Sequence, residues 1–354
     1  MLSIVNRPKI LCIMPTYTCP ASCHNCGTLS NPNVKLNISL ETIVSAINQA
    51  KELGFTSIVF SGGEATLRFK DLCQAIAYAK SLDLPTRLVT NAHWATSTEK
   101  ANKILDILLN VGLNEINYST GDEHAKYIPI QRIITAIITT IKKEMNAYLM
   151  IEMREDNRII ENTILESNEI KMLSEEERKK LKINLSPWMP LHHNKVEKYK
   201  KSSYCNGQNI HNRKGCDSIL STYTVQADGK IGACCGIGMR LIPELHVGII
   251  DESRFLHNAI KIAEEDFLKL WIYHWGPEKI IAWVSQKEPS IKWENMYSHK
   301  CQACLRLYKD DSIMVIIQKY YHEILSEIIF ENWFDEEYFY KKLLEPIENF
   351  TEKT

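Results

Sequence analysis

Residues 10–26 read ILCIMPTYTCPASCHNC, an apolar run of strand character followed by a loop that spaces Cys19, Cys23 and Cys26 as CxxxCxxC. The strand signal recurs. Short β-rich stretches lie at 56–60 (TSIVF), 86–90 (TRLVT), 114–118 (NEINY), 147–153 (AYLMIEM) and 182–186 (KINLS), and between them the apolar spacing lengthens to a helical period. The first predicted helix, 39–53, has Ser39 as N-cap, puts Ile43, Ala46, Ile47 and Ala50 on one face and stops at Gly54. Further helices are expected at about 68–82, 96–111, 129–144 and 174–181. In the last, Ser174 and Glu177 make a capping box, and Glu175/Lys179 and Glu176/Lys180 are i,i+4 pairs on a solvated face. Six βα units imply a parallel sheet, either doubly wound or curled into part of a (β/α) barrel. Both forms gather ligands at the C-terminal ends of the strands, where the three-cysteine loop lies.

The whole chain has 354 residues, enough for one large domain or two. Lys and Arg number 42 against 43 Asp and Glu, a net charge of −1 that offers no general cationic field to a nucleic acid. No apolar run reaches the roughly 18 residues of a membrane span, and the opening MLSIVNRPK lacks the apolar core of a secretory signal. The expectation is a cytoplasmic protein without membrane or nucleic-acid partners. In a reducing cytosol, clustered cysteines speak for metal binding or catalysis rather than disulfides. Cys12 and Cys73, in apolar surroundings, read as inert core residues. After residue 190 the alternation stops. A basic, irregular stretch (LHHNKVEKYKKSSYCNG, 191–207) leads to two close strands, TYTVQ and KIGAC, joined by Ala227-Asp228-Gly229, a hairpin signal. The expected division is 1–190, a small cysteine-bearing module over 191–310, and amphipathic, aromatic-rich helices over 311–354.

Three close thiolates can hold three irons of a [4Fe-4S] cubane and leave the fourth open to a small molecule; zinc, with His24 as a fourth ligand, is the alternative. Ser61-Gly62-Gly63-Glu64 follows the second strand. In that order, the two segments resemble the radical S-adenosylmethionine (SAM) superfamily, over roughly residues 8–190. The resemblance implies a partial (β/α)6 TIM-like barrel in which Cys19, Cys23 and Cys26 hold a SAM-binding [4Fe-4S] cluster. It also implies that Glu64 pairs with the SAM amino group beside Gly62 and Gly63, whose missing side chains allow close backbone approach. Thr90-Asn91 and Ser119 would contact the SAM ribose and carboxylate. Asn25 departs from the family, in which many members carry an aromatic residue near the adenine at that place. The implied chemistry is reductive cleavage of SAM to methionine and a 5′-deoxyadenosyl radical that removes hydrogen from an unactivated C–H bond. A flavodoxin- or ferredoxin-like external electron donor is the implied partner.

In the second module Cys216, Cys234, Cys301 and Cys304 suffice for a closed cluster, with a zinc ribbon as the alternative. Their pattern is similar to the twitch domain, a shortened SPASM domain of hairpin and helix, found in radical SAM enzymes that modify peptides or oxidise carbinols; it implies a second, auxiliary [4Fe-4S] cluster. Cys235 is left over beside Cys234, and adjacent residues of an extended strand point to opposite faces. The order of CxxxCxxC, GGE, TNAHWA (90–95), STGDEH (119–124), Asp-Gly, paired cysteines and a late CxxC resembles radical SAM peptide epimerases of ribosomal-peptide (RiPP) maturation. That resemblance implies a precursor-peptide substrate inverted from L to D, with Cys235 as hydrogen-atom donor.

Two other readings stand beside it: oxidative peptide cross-linking (cyclophane or thioether) or dehydrogenation with the auxiliary cluster as electron acceptor, and a zinc-bound, noncatalytic peptide-binding module. Asp122 and His124 read as substrate contacts or turn residues. Cys205 reads as a further ligand, a second thiol donor or neither. His192, His193, Lys195, Lys198, Lys200 and Lys201 read as a guide for an acidic leader peptide or as a solvated loop. About 18 residues precede Cys19, too few for an N-terminal peptide-binding domain, which leaves delivery by a separate recognition protein open.

Overall fold

The computed structural model describes residues 7–195, 197–250 and 253–340. The alternation becomes six strands: β1 (Ile10–Ile13), β2 (Ser57–Phe60), β3 (Thr86–Thr90), β4 (Glu115–Thr120), β5 (Ala147–Met153) and β6 (Leu181–Pro187). Each pairs in parallel with the next. Leu11, Cys12 and Ile13 are all buried, the continuous apolar run of a strand covered on both faces. The main crossover helices are Leu40–Glu52, Phe69–Ser81, Thr98–Val111 and Ile130–Lys142. The first starts where Ser39 accepts the Thr42 N–H at 3.2 Å, and it buries Ile43, Ala46, Ile47 and Ala50 completely. The capping box also forms: Ser174 Oγ accepts from Glu177 N at 3.3 Å, and Glu177 Oε2 accepts from Ser174 N at 2.9 Å. Lys179 meets Glu175 at 3.7 Å, but Lys180 leaves Glu176 and pairs with Glu144. Exposed pairs stabilise so little that a nearby tertiary partner displaces a helical one.

The predicted hairpin forms as β7 (Thr222–Val225) and β8 (Lys230–Gly232), turning through Gly229 at φ 84°, and β9 (His246–Ile249) follows. β7 lies parallel to β1, with Ile10 opposite Thr222 and Ile13 opposite Val225. β8 and β9 then run antiparallel, giving one nine-stranded sheet in the order β6-β5-β4-β3-β2-β1-β7-β8-β9. Residue 190 falls between β6 and β7, and the hydrogen-bonded sheet is continuous from one side of it to the other.

Three helices, Phe255–Glu264, Phe267–Trp275 and Pro277–Lys287, lie in the module for which a hairpin and a single helix were expected. FLKLWIYHW is apolar nearly all round and so lacks the one-sided stripe that marks an amphipathic helix. It buries Trp271 against Trp283, ring centroids 5.1 Å apart. The expected C-terminal helices occur at Asp311–Tyr320 and His322–Phe334; residues 341–354 lie outside the described residues. Cys12 is buried as expected, whereas Cys73 is only half-buried, on a helix face that meets the core at its margin. Among the described residues no helix is long and apolar enough to cross a membrane.

Candidate active site

Loops from the C-terminal ends of the parallel strands enclose a cavity of about 260 Å³. Cys19, Cys23 and Cys26 line it after β1; Gly62, Gly63 and Glu64 after β2; Asn91 after β3; and Ser119 at the end of β4. The cysteine loop is held from several sides. Glu123 accepts the His24 N–H at 3.3 Å, the Trp188 indole N–H donates to the His24 carbonyl at 2.9 Å, and the Tyr127 hydroxyl donates to the Ser22 carbonyl at 2.8 Å. Beneath the loop the buried Tyr17 hydroxyl donates to Gln226 at 2.8 Å, while the Arg240 guanidinium stacks 3.8 Å over the Tyr17 ring.

Donors also face the sulfurs. The Ala21 N–H and the Asn91 amide each lie 3.5 Å from Cys19 Sγ, and Thr28 Oγ1 lies 3.4 Å from Cys26 Sγ. Burial pushes the Cys19 and Cys23 thiols up to about 12, so the protein alone holds protons there that a bound metal must displace. Among the described residues no three His, Cys, Asp or Glu side chains converge closely enough to hold one ion. A cubane carries each thiolate on a separate iron, and His24, the fourth ligand a zinc site would need, is not among the residues lining the cavity, so the three cysteines suit a cubane better than zinc.

Glu64 is buried and heavily hydrogen-bonded. Oε1 accepts from Thr66 N at 3.2 Å, from the Thr66 hydroxyl and from the Thr90 hydroxyl at 2.8 Å; Oε2 accepts from Asn91 N at 2.8 Å. Oε2 therefore keeps a lone pair for a ligand donor. The glycines before it meet backbone: a Cβ on Gly62 would lie 2.6 Å from the Thr16 oxygen, and one on Gly63 2.7 Å from the Tyr17 carbonyl carbon. Gly63→Ala is expected to cost about 3 kcal/mol or more, because backbone cannot swing aside as a side-chain tip can. Thermal unfolding of the iron-free protein measures it.

A second cavity takes Cys216, Cys234, Cys301 and Cys304, with Ile219, Leu245, Ile272 and Pro277 around them. Cys301 and Cys304 lie one turn apart on the helix Lys300–Lys309, which His299 caps by accepting the Cys301 N–H at 3.1 Å. Burial pushes the Cys234 and Cys304 thiols well up. β8 ends at Gly232, so Cys234 and Cys235 follow the strand instead of riding on it. The backbone still sends them apart: Cys234 lines the second cavity, Cys235 the first, and Gly236 borders both. Cys235 is exposed, its Sγ 3.3 Å from Ser218 Oγ, and its N–H donates to the same hydroxyl at 3.1 Å.

His124 lines the first cavity, its ring 5.4 Å from that of Trp188. Asp122 does not; its carboxylate accepts the N–H groups of Arg158 at 2.9 Å and Ile159 at 2.8 Å and ties down that loop. Cys205 is buried outside both cysteine cavities, between the backbones of Asn295 and Tyr297. His192, His193 and Lys195 border a separate small cavity with Met296 and Tyr297. Glu152, Trp188 and Met239 also line the first cavity and were not singled out from sequence. Glu152 carried a signal, as the acid inside the otherwise apolar strand AYLMIEM.

Comparison with known proteins agrees with this geometry. The model of the Radical SAM superfamily matches residues 13–146. PqqA peptide cyclase of Xanthomonas campestris pv. campestris (strain B100) is 33% identical over 125 residues, 34% of this chain and 31% of that protein. The enzyme of the same name from Xanthomonas euvesicatoria pv. vesicatoria (strain 85-10) is 32% identical over 128 residues, 35% of this chain and 32% of that protein. The matched part thus spans about a third of these curated relatives. Among solved structures, native anSMEcpe with bound AdoMet and Cp18Cys peptide superposes with a TM-score of 0.51 over 88% of this chain and 99% of that chain, at 13% identity, a likeness of fold. The superfamily implies SAM and one [4Fe-4S] cluster, the groups that the three cysteines and Glu64 suit. Residues 13–146 of this chain are a radical SAM domain.

Proposed function

We propose that the chain modifies a ribosomally made peptide and inverts an amino-acid Cα, with Cys235 as hydrogen-atom donor. The observation that carries this reading is the Cys235 thiol on the wall of the cavity that Cys19, Cys23, Cys26 and Glu64 also line. When bound, SAM and its cluster supply an abstractor of the Cα hydrogen. Cys235 then gives a hydrogen atom to the opposite face: its S–H bond breaks, a Cα–H bond forms, and the sulfur is left short of one electron and one proton. Solvent returns the proton. A flavodoxin- or ferredoxin-like donor returns the electron, by way of an auxiliary [4Fe-4S] cluster on Cys216, Cys234, Cys301 and Cys304 in a twitch-like module over 191–310.

The similarity to PqqA peptide cyclases supports the second reading, oxidative cross-linking or dehydrogenation with the auxiliary cluster as electron acceptor. Mass spectrometry of the precursor peptide after turnover in heavy water separates the two. Inversion is expected to add one deuterium at the changed Cα and otherwise leave the mass alone. A product short of two hydrogens would overturn inversion in favour of the oxidative reading.

A further inference from the structure

Among the buried carboxylates around the first cavity, Glu152 on β5 has a role that neither the cysteines nor the GGE segment supplies. Its side chain is 1% exposed, and the residue lines the cavity. Oε1 accepts the backbone N–H of Glu123, but Oε2 has no hydrogen-bond partner. The nearby cations are engaged elsewhere: Lys126 and Arg154 both pair with Glu123. His124 Nδ1 stands 3.8 Å from Oε2, beyond hydrogen-bond reach, and is itself without a partner. Space for the carboxylate comes from Gly121, at φ 143°, where a Cβ would collide with Glu152 Cγ. A buried carboxylate oxygen left unpaired is costly, and a fixed one facing a cavity is relieved by a donor on whatever enters.

The cavity's own charge narrows the ligand. No Lys or Arg lines it, while two carboxylates and four cysteines do, so it favours a cation such as SAM. Glu152 reaches the cysteine loop through Glu123, whose N–H it accepts and whose carboxylate accepts the His24 N–H, which places the acid beside that loop. Glu64 has its lone pair for the SAM amino group. The Asn91 amide is already shared between Cys19 and the His93 N–H, its oxygen accepting the latter at 3.0 Å. We infer that Glu152, with His124 beside it, receives a hydrogen-bond donor of the SAM adenosyl group, either the N6 amine of the adenine or a ribose hydroxyl. This would supply a polar contact to the adenosyl group from β5, and it holds whichever peptide chemistry follows.

The test is equilibrium binding to the anaerobically reconstituted protein, without turnover. Glu152→Gln keeps the shape but turns the Oε2 position from acceptor into donor. It is expected to weaken SAM binding about tenfold or more, the effect of losing a hydrogen bond to a charged group. Two SAM analogues, one lacking the N6 amine and one lacking both ribose hydroxyls, identify the donor. The analogue without it should bind the wild type as weakly as SAM binds Glu152→Gln, and should lose nothing further in the variant. SAM binding to Glu152→Gln within twofold of wild type overturns the inference. So does an equal loss in both proteins for both analogues. Should Glu152→Gln not fold, His124→Asn with the same three ligands gives the second measurement: a change in the analogue pattern supports the site, and an unchanged pattern overturns it.

Discussion

Cys235→Ala is expected to abolish peptide inversion completely while SAM cleavage under reduction continues, read as 5′-deoxyadenosine released without epimerised product. The asymmetry follows from position. Cys235 lines the same cavity as Cys19, Cys23, Cys26 and Glu64, and its thiol and its N–H are both engaged with Ser218. Removing its sulfur leaves the Tyr17–Arg240 stack and the Glu64 network in place. Cys235→Ser should behave like the alanine variant, since an O–H bond is too strong to give its hydrogen atom to a carbon radical. Its hydroxyl can keep a polar contact with Ser218, so a difference between the two variants reports structure and not donation. Persistent inversion in either variant would remove Cys235 from the reaction.

The second large effect concerns metal content. After anaerobic reconstitution the wild type is expected to carry about eight irons per chain, and the Cys301→Ala/Cys304→Ala variant about four, by the count of a cubane. Cys216 and Cys234 would then face a cavity with apolar residues on most of its walls and half of its thiols gone, too few to retain a cluster. The first cavity shares only Gly236 with the second, so SAM binding should survive. About four irons in both proteins would mean that the late cysteines hold no cluster; the electron return proposed for Cys235 would lose its relay and the oxidative alternative its acceptor. Zinc analysis on the same samples tests the ribbon reading directly.

The parallel half of the fold was readable because its signals are local. Strand runs such as TSIVF and TRLVT, caps such as Ser39, and stops such as Gly54 act within a few residues of themselves, and β2, β3 and the first helix form where they point. The pairing of β7 with β1 was not readable, since nothing near Thr222–Val225 indicates a partner more than two hundred residues earlier. The helix around Trp271 was hidden for the opposite reason, an apolar surface on every side. Among the site residues, the separation of Cys234 from Cys235 follows from chain geometry and was legible even though β8 ends early. Asp122 and Glu152 could not be told apart by residue type. One is spent on the N–H groups of Arg158 and Ile159 and the other faces the cavity, a distinction that depends on tertiary contacts.

The β1–β7 ladder has a mechanical consequence. The loop bearing Cys19, Cys23 and Cys26 grows from β1, and the chain bearing Cys234 and Cys235 grows from the hairpin bonded alongside it. The two cysteine sets are therefore riveted to neighbouring planks of one floor, and the gap between them is fixed by strand register. A breathing motion that admitted a bulky guest would have to tear that ladder to widen the gap there. It meets no such resistance at the far edge, where β6 pairs only with β5. Strain at the β6 edge would leave the register between the two cysteine-bearing strands, and so the spacing of their cysteines, unchanged.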